Sequence, residues 1–97
     1  MSEALVAIVV GSEKDWSVMN RCSEMLESLG ISYEKHTSSA HRNPERTAEL
    51  AKGFAGRGIK VVIAGAGMAA HLPGVIAAHT YLPVIGVPIA SGLPGGK

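Results

Sequence analysis

Two apolar runs constrain this chain more than any other feature: "ALVAIVV" over residues 4–10 and "KVVIAGAG" over residues 60–67, the first running straight into Gly11 and the second breaking up into glycine. A strand with one wet face alternates apolar and polar residues, whereas a strand covered on both faces is apolar throughout and belongs to a parallel sheet packed between helices. Helical periodicity follows each run. From Asp15 the apolar positions fall at Val18, Met19, Cys22, Met25, Leu26 and Leu29, one face of a helix, and Gly30 sits where a C-terminal cap belongs. On this spacing Trp16, Met19 and Met25 are expected in the core, with Cys22 a buried small residue rather than a nucleophile.

The rest of the chain repeats the unit. "ISYEKHTS" reads as a weaker, charge-bearing strand near an edge, and Asn43-Pro44 as the cap and first turn of a helix running through Leu50, Ala51, Phe54 and Ala55 to Gly58. "LPGVIAAH" makes a short helix that tolerates Pro73 in its first turn, and "PVIGVPIA" a fourth strand. The order βαβαβαβ with short connections predicts a flavodoxin-like α/β domain: a three-layer sandwich with one parallel sheet and helices on both faces. Ninety-seven residues leave room for a single domain, residues 1–97. No repeat of 20 to 50 residues points to a solenoid.

Composition narrows the function classes. With 46% apolar and 18% charged residues the chain has the makings of a packed core, and a formal net charge of +1 provides no basic footprint for nucleic acid or an anionic membrane. A lone cysteine, no secretory leader and no run near 20 apolar residues point to a soluble protein of the reducing cytoplasm. The spacing carries neither HxxxH nor CxxC, so no metal site is expected.

In a parallel sheet every strand ends on the same rim, where ligands of open α/β folds bind. That rim gathers Gly11, Ser12 and Asp15 after the first strand, residues 38–42 after the second, residues 65–71 after the third, and Ser91 and Gly92 after the fourth. Gly65-Ala66-Gly67 reads either as a tight strand-to-helix turn or as a backbone cradle for an anion or ring. It is neither a GxxxxGK[ST] nor a GxGxxG loop, which argues against ATPase and dinucleotide readings. His41 beside Arg42 pairs a group that exchanges a proton near neutrality with a fixed charged fork for phosphate or carboxylate. His71 either caps its helix or serves as a second polar contact. His36, inside a strand, and His79, at a helix end, are read as structural.

"VVGSEKDW", "SSAHRNPER" and "VVIAGAGMAAHLPGVIAAHTYLPVIGVP" together resemble the PurE family of purine biosynthesis across nearly the whole chain. Arg42 and His71-Leu72-Pro73-Gly74 favour its N(5)-carboxyaminoimidazole ribonucleotide mutase class over the class that fixes carbon dioxide directly, which typically has lysine after its SAH histidine. The resemblance implies a mutase that moves a carboxylate from an exocyclic nitrogen to a ring carbon by decarboxylation and recarboxylation, with His41 as the proton-transfer residue. Ser12 and Asp15 would hold the phosphate and ribose, Arg42 the phosphate end, and Ser39, Ala40, Gly67, His71 and Leu72 would line the pocket. It implies no cofactor and no metal, a small nucleotide substrate, and a homo-octamer. Lys14, Asn43 and Met68 depart from the family's usual GSxSD, SAHRT and GAGGAAH patterns. Family members continue past "GVP" with a further strand, a SIVQMP-type segment and helices, so the resemblance also implies that this chain lacks those parts. The alternative is a phosphosugar- or nucleotide-binding module without catalysis.

Overall fold

The computed structural model describes residues 4–67 and 71–89. Met68, Ser91 and Gly92, and with them the "SGLPGGK" end, lie outside the described residues. Four strands, β1 (Val6–Val10), β2 (Tyr33–Thr37), β3 (Val61–Gly67) and β4 (Val84–Ile89), form one parallel sheet in the order β2-β1-β3-β4. Three helices connect them: α1 (Trp16–Ser28), α2 (Pro44–Phe54) and α3 (His71–Ala77). The flavodoxin-like α/β reading therefore holds.

The apolar run of β1 has the burial its sequence demands, all five residues being buried, because its two faces feed two separate cores. Val6, Ile8 and Val10 pack with Met19 and Leu26 of α1 and with Ile89 of β4. Ala7 and Val9 point the other way, into a cluster with Ala51 and Phe54 of α2, Leu72 and Ile76 of α3, and Val62 and Ala64 of β3. One helix thus covers one face and two cover the other, the three-layer arrangement. β2 lies at the sheet edge, as its charges foretell: Glu34, Lys35 and His36 make a poor template for pairing with another strand.

Helix boundaries follow local chemistry. Asn43 caps α2, its Oδ1 accepting the Arg46 N–H at 3.3 Å, and Pro44 occupies the first turn. α2 tightens into a 3-10 turn, Ala55–Arg57, and stops at Gly58, whose φ of 92° is left-handed; Gly30 ends α1 the same way with φ 74°.

Two expectations need correction. Met25 is 60% exposed and Leu29 63%, and Val18 is exposed too, so these are not core positions. The inward face of α1 is set by Met19, Ser23 and Leu26, with Ser23 tolerated there because its Oγ donates to the Asn20 carbonyl at 2.8 Å. A buried serine and an exposed methionine together shift the apparent apolar stripe by one flank. The second correction concerns Gly65-Ala66-Gly67, which is the last part of β3 rather than a turn. Gly65 leaves space that two side chains fill: a Cβ there would lie 2.7 Å from Met19 Sδ and 3.0 Å from Ile89 Cδ1.

Candidate active site

The chain steps from β1 outward to β2, returns across β1 to β3 and continues to β4, so the order of strands reverses beside β1 and its carboxyl end is the switch point. After β1 the backbone is extended at Ser12 and then tightens into a 3-10 turn, Glu13–Asp15, in which the Asp15 N–H donates to the Ser12 carbonyl at 3.0 Å. This turn packs against β3. Asp15 is buried, 6% exposed, and its carboxylate has no hydrogen-bond partner among the described residues. A buried carboxylate without a donor is uncommon in a protein interior.

The loop after β2 is fixed more thoroughly. The Ser38 N–H donates to the Val10 carbonyl at 2.8 Å, which ties the loop to the end of β1. The Asn43 N–H donates to the Ser39 carbonyl at 2.9 Å and the Arg42 N–H to Ser39 Oγ at 3.1 Å, so residues 39–43 form a closed turn that projects His41 and Arg42. Beneath the turn lies Thr47, fully buried on α2. Its Oγ1 is 2.7 Å from Ser38 Oγ and also within reach of the Ser39 and Asn43 carbonyls, at 3.3 and 3.1 Å. Arg46 Nη1 adds a bond to the Thr37 carbonyl at 2.7 Å. Sequence reasoning passed over Thr47 and Arg46; a threonine one turn inside a capped helix was the available signal.

His41 and Arg42 are exposed, and His41 meets His71, the first residue of α3, with ring centroids 5.2 Å apart and planes inclined at 46°. β2 and β3 lie on opposite sides of β1, so this contact closes the rim over the carboxyl end of β1. Of the remaining predicted residues, Gly67 ends β3 on the same rim. Leu72 is buried in the apolar cluster beneath α3, and Ala40 packs against that cluster, so both support the rim from below. The arrangement offers two imidazoles for proton exchange, a guanidinium for an anion and a buried carboxylate for a hydroxyl.

The other histidines lie apart from this rim. His36 bonds Glu34, which also takes a bond from Arg57, and its ring packs near Phe54. Burial pushes the Glu34 carboxyl up, but the hydrogen bonds from His36 and Arg57 outweigh it and hold the group below its ordinary value. Burial raises the Cys22 thiol, which agrees with a packing role. Among the described residues no three metal-ligating side chains converge, and no helix is long and apolar enough to cross a membrane.

Comparison with known proteins gives concordant matches. The family model described as AIR carboxylase matches residues 5–97. N5-carboxyaminoimidazole ribonucleotide mutase of Pseudomonas aeruginosa is 50% identical over 93 residues, which is 96% of this chain and 57% of that protein. The enzyme of the same name from Pyrococcus horikoshii is 58% identical over 87 residues, 90% of this chain and 49% of its own. The crystal structure of Treponema denticola PurE superposes with a TM-score of 0.84 at 27% identity, covering 91% of this chain and 56% of that one. The chain thus spans about half the length of the relatives it matches.

Proposed function

The chain belongs to the AIR carboxylase family, and from that premise we propose that it interconverts N(5)-carboxyaminoimidazole ribonucleotide and 4-carboxy-5-aminoimidazole ribonucleotide. The observation that carries the reading is the meeting of His41 with His71 above the carboxyl end of β1, with Arg42 beside them and, at the same switch point, the buried Asp15, whose carboxylate has no partner among the described residues. Each candidate has a task suited to its chemistry. Asp15 accepts from the ribose hydroxyls, while Ser12 and Arg42 bind the phosphate, Arg42 through its bidentate fork. The carbamate carbon leaves the exocyclic nitrogen as carbon dioxide, and that nitrogen takes up a proton. The ring carbon then attacks the retained carbon dioxide, a carbon–carbon bond forms, and His41 receives the ring proton that is displaced. One proton is gained and one released, so a single imidazole serves both directions. Holding carbon dioxide against the ring supplies the proximity that the free reaction lacks. Ser39, Ala40, Gly67, His71 and Leu72 form the surroundings of the ring and carboxylate.

The same reading places the protein in the cytoplasm as a homo-oligomer of the octameric kind, acting on a small nucleotide without cofactor or metal. The decisive experiment mixes the chain with each ribonucleotide and follows the ultraviolet absorbance of the carboxylated imidazole in both directions. Conversion that is lost in His41→Asn supports the reading. Calorimetric binding of aminoimidazole ribonucleotide without turnover would instead identify a binding module, and neither heat nor turnover would overturn both.

A further inference from the structure

A second cleft lies beside the rim, on the outer side of β2; none of the residues assigned to substrate lines it, although it shares Glu13, Thr37 and Arg46 with the turn and the bond that shape the rim. Open to solvent, it offers about 520 Å³ between the start of α1, the carboxyl half of β2 and α2, and is lined by Glu13, Trp16, Asn20, Lys35, Thr37 and Arg46, with His36 at its wall. That volume is in the range of small-molecule sites.

The walls are rich in donors and poor in acceptors. Lys35 Nζ spends one proton on Asn20 Oδ1 at 3.0 Å and lies 4.9 Å from the centre of the Trp16 ring, while Arg46 spends one N–H on the Thr37 carbonyl at 2.7 Å. Neither cation forms an ion pair among the described residues, although Glu13 lines the same cleft. Thr37 Oγ1 accepts the Trp16 indole N–H at 3.0 Å, which leaves its own hydroxyl proton to donate. With its oxygen taken by Lys35, the Asn20 amide presents N–H groups as well. Spare protons on a lysine, an arginine, a threonine and an asparagine, held in place by bonds to one another, suit an oxyanion with several acceptor atoms. One carboxylate against two cations leaves a local charge of +1, matched to a single anionic group rather than to a polyanion.

We propose that this cleft binds a small-molecule phosphomonoester, its phosphate between Lys35 and Arg46 and its organic part along the Trp16 indole. Trp16 is the only tryptophan and lines the cleft, so its emission responds to a ligand there, and because it adjoins Asp15 the rim variant serves as the control. The experiment is a fluorescence titration of the full chain with AMP, with adenosine as the uncharged control and inorganic phosphate as the free anion. A saturable change is expected with AMP and none with adenosine. Lys35→Gln and Arg46→Gln should each weaken the apparent affinity about tenfold or more, as loss of a charge-assisted hydrogen bond does, and in Arg42→Gln, which removes the rim's own phosphate ligand, a response that depends on Lys35 should persist. Because Arg46 also holds the Thr37 carbonyl, Lys35→Gln is the variant that decides if Arg46→Gln fails to fold. No saturation by about 10 mM, an affinity too weak to use, overturns the site. So does a response abolished by Arg42→Gln and indifferent to Lys35→Gln, which would assign the signal to the rim. Equal affinity for inorganic phosphate overturns the organic half of the assignment.

Discussion

The hydroxyl pair beneath the His41 turn makes a prediction whose sign is unusual. Ser38 and Thr47 are both buried, and the 2.7 Å contact between their hydroxyls is the only hydrogen bond of Ser38 Oγ among the described residues. Thr47→Val keeps the side-chain shape and removes that partner, leaving a buried hydroxyl with none, which costs about 1–3 kcal/mol. Ser38→Ala is milder, about 0.5–1.5 kcal/mol, because Thr47 Oγ1 still has the Asn43 and Ser39 carbonyls to donate to. Those carbonyls are no orphans in either variant, since each also accepts a backbone N–H, from Thr47 and Asn43 respectively. The double variant removes both polar groups and with them the unsatisfied one. It should therefore be no less stable than Thr47→Val alone, with a coupling of about 1 kcal/mol between the sites. Urea unfolding of the four proteins measures this, and thermal midpoints should follow at about 4–8 °C per kcal/mol for a domain of this size. Additive losses, or a Ser38→Ala loss larger than that of Thr47→Val, would refute the idea that one orphaned hydroxyl controls the energetics.

Two further outcomes test the packing and the electrostatics. Gly65→Ala makes the ends of the Met19 and Ile89 side chains give way in a filled core, a loss of about 1–3 kcal/mol, and Met19→Ala should cost less in that background than in the native chain; a silent Gly65→Ala would show that the core yields freely there. Glu34 titrates lower in the folded chain than in the unfolded one, so its contribution is complete above the unfolded value of about 4.3 and disappears as pH falls through the depressed folded value. The difference in unfolding midpoint between the native chain and Glu34→Gln should accordingly be full at neutral pH and shrink on acidification through that window, whereas a gap independent of pH would mean that the carboxylate contributes nothing through its charge.

Most of the architecture could be read from residues because local and global preferences agree. The uninterrupted apolar run of β1 requires cover on both faces, the charges of β2 confine it to an edge, and Asn43-Pro44, Gly30 and Gly58 set helix ends by their own chemistry. The failures arose where a side chain's surroundings leave no trace in the spacing of apolar residues. Ser23 looks like a surface residue until its bond to the Asn20 carbonyl is known, and Gly65 looks like a turn until Met19 is seen to occupy the space of its missing side chain. The rim follows the same division. Strand polarity alone brings Ser12, Asp15, His41, Arg42 and Gly67 to one end of the sheet, but it says nothing of which loops touch. The contact between His41 and His71 needs the loop after β2 to reach across β1, and what holds that loop in place is a threonine whose pattern of bonds has no signature in spacing. The chemistry-bearing residues were legible because their side chains are unusual for their positions. Thr47 and Arg46 were not, because a threonine and an arginine on a helix are ordinary until the turn they hold is placed above them.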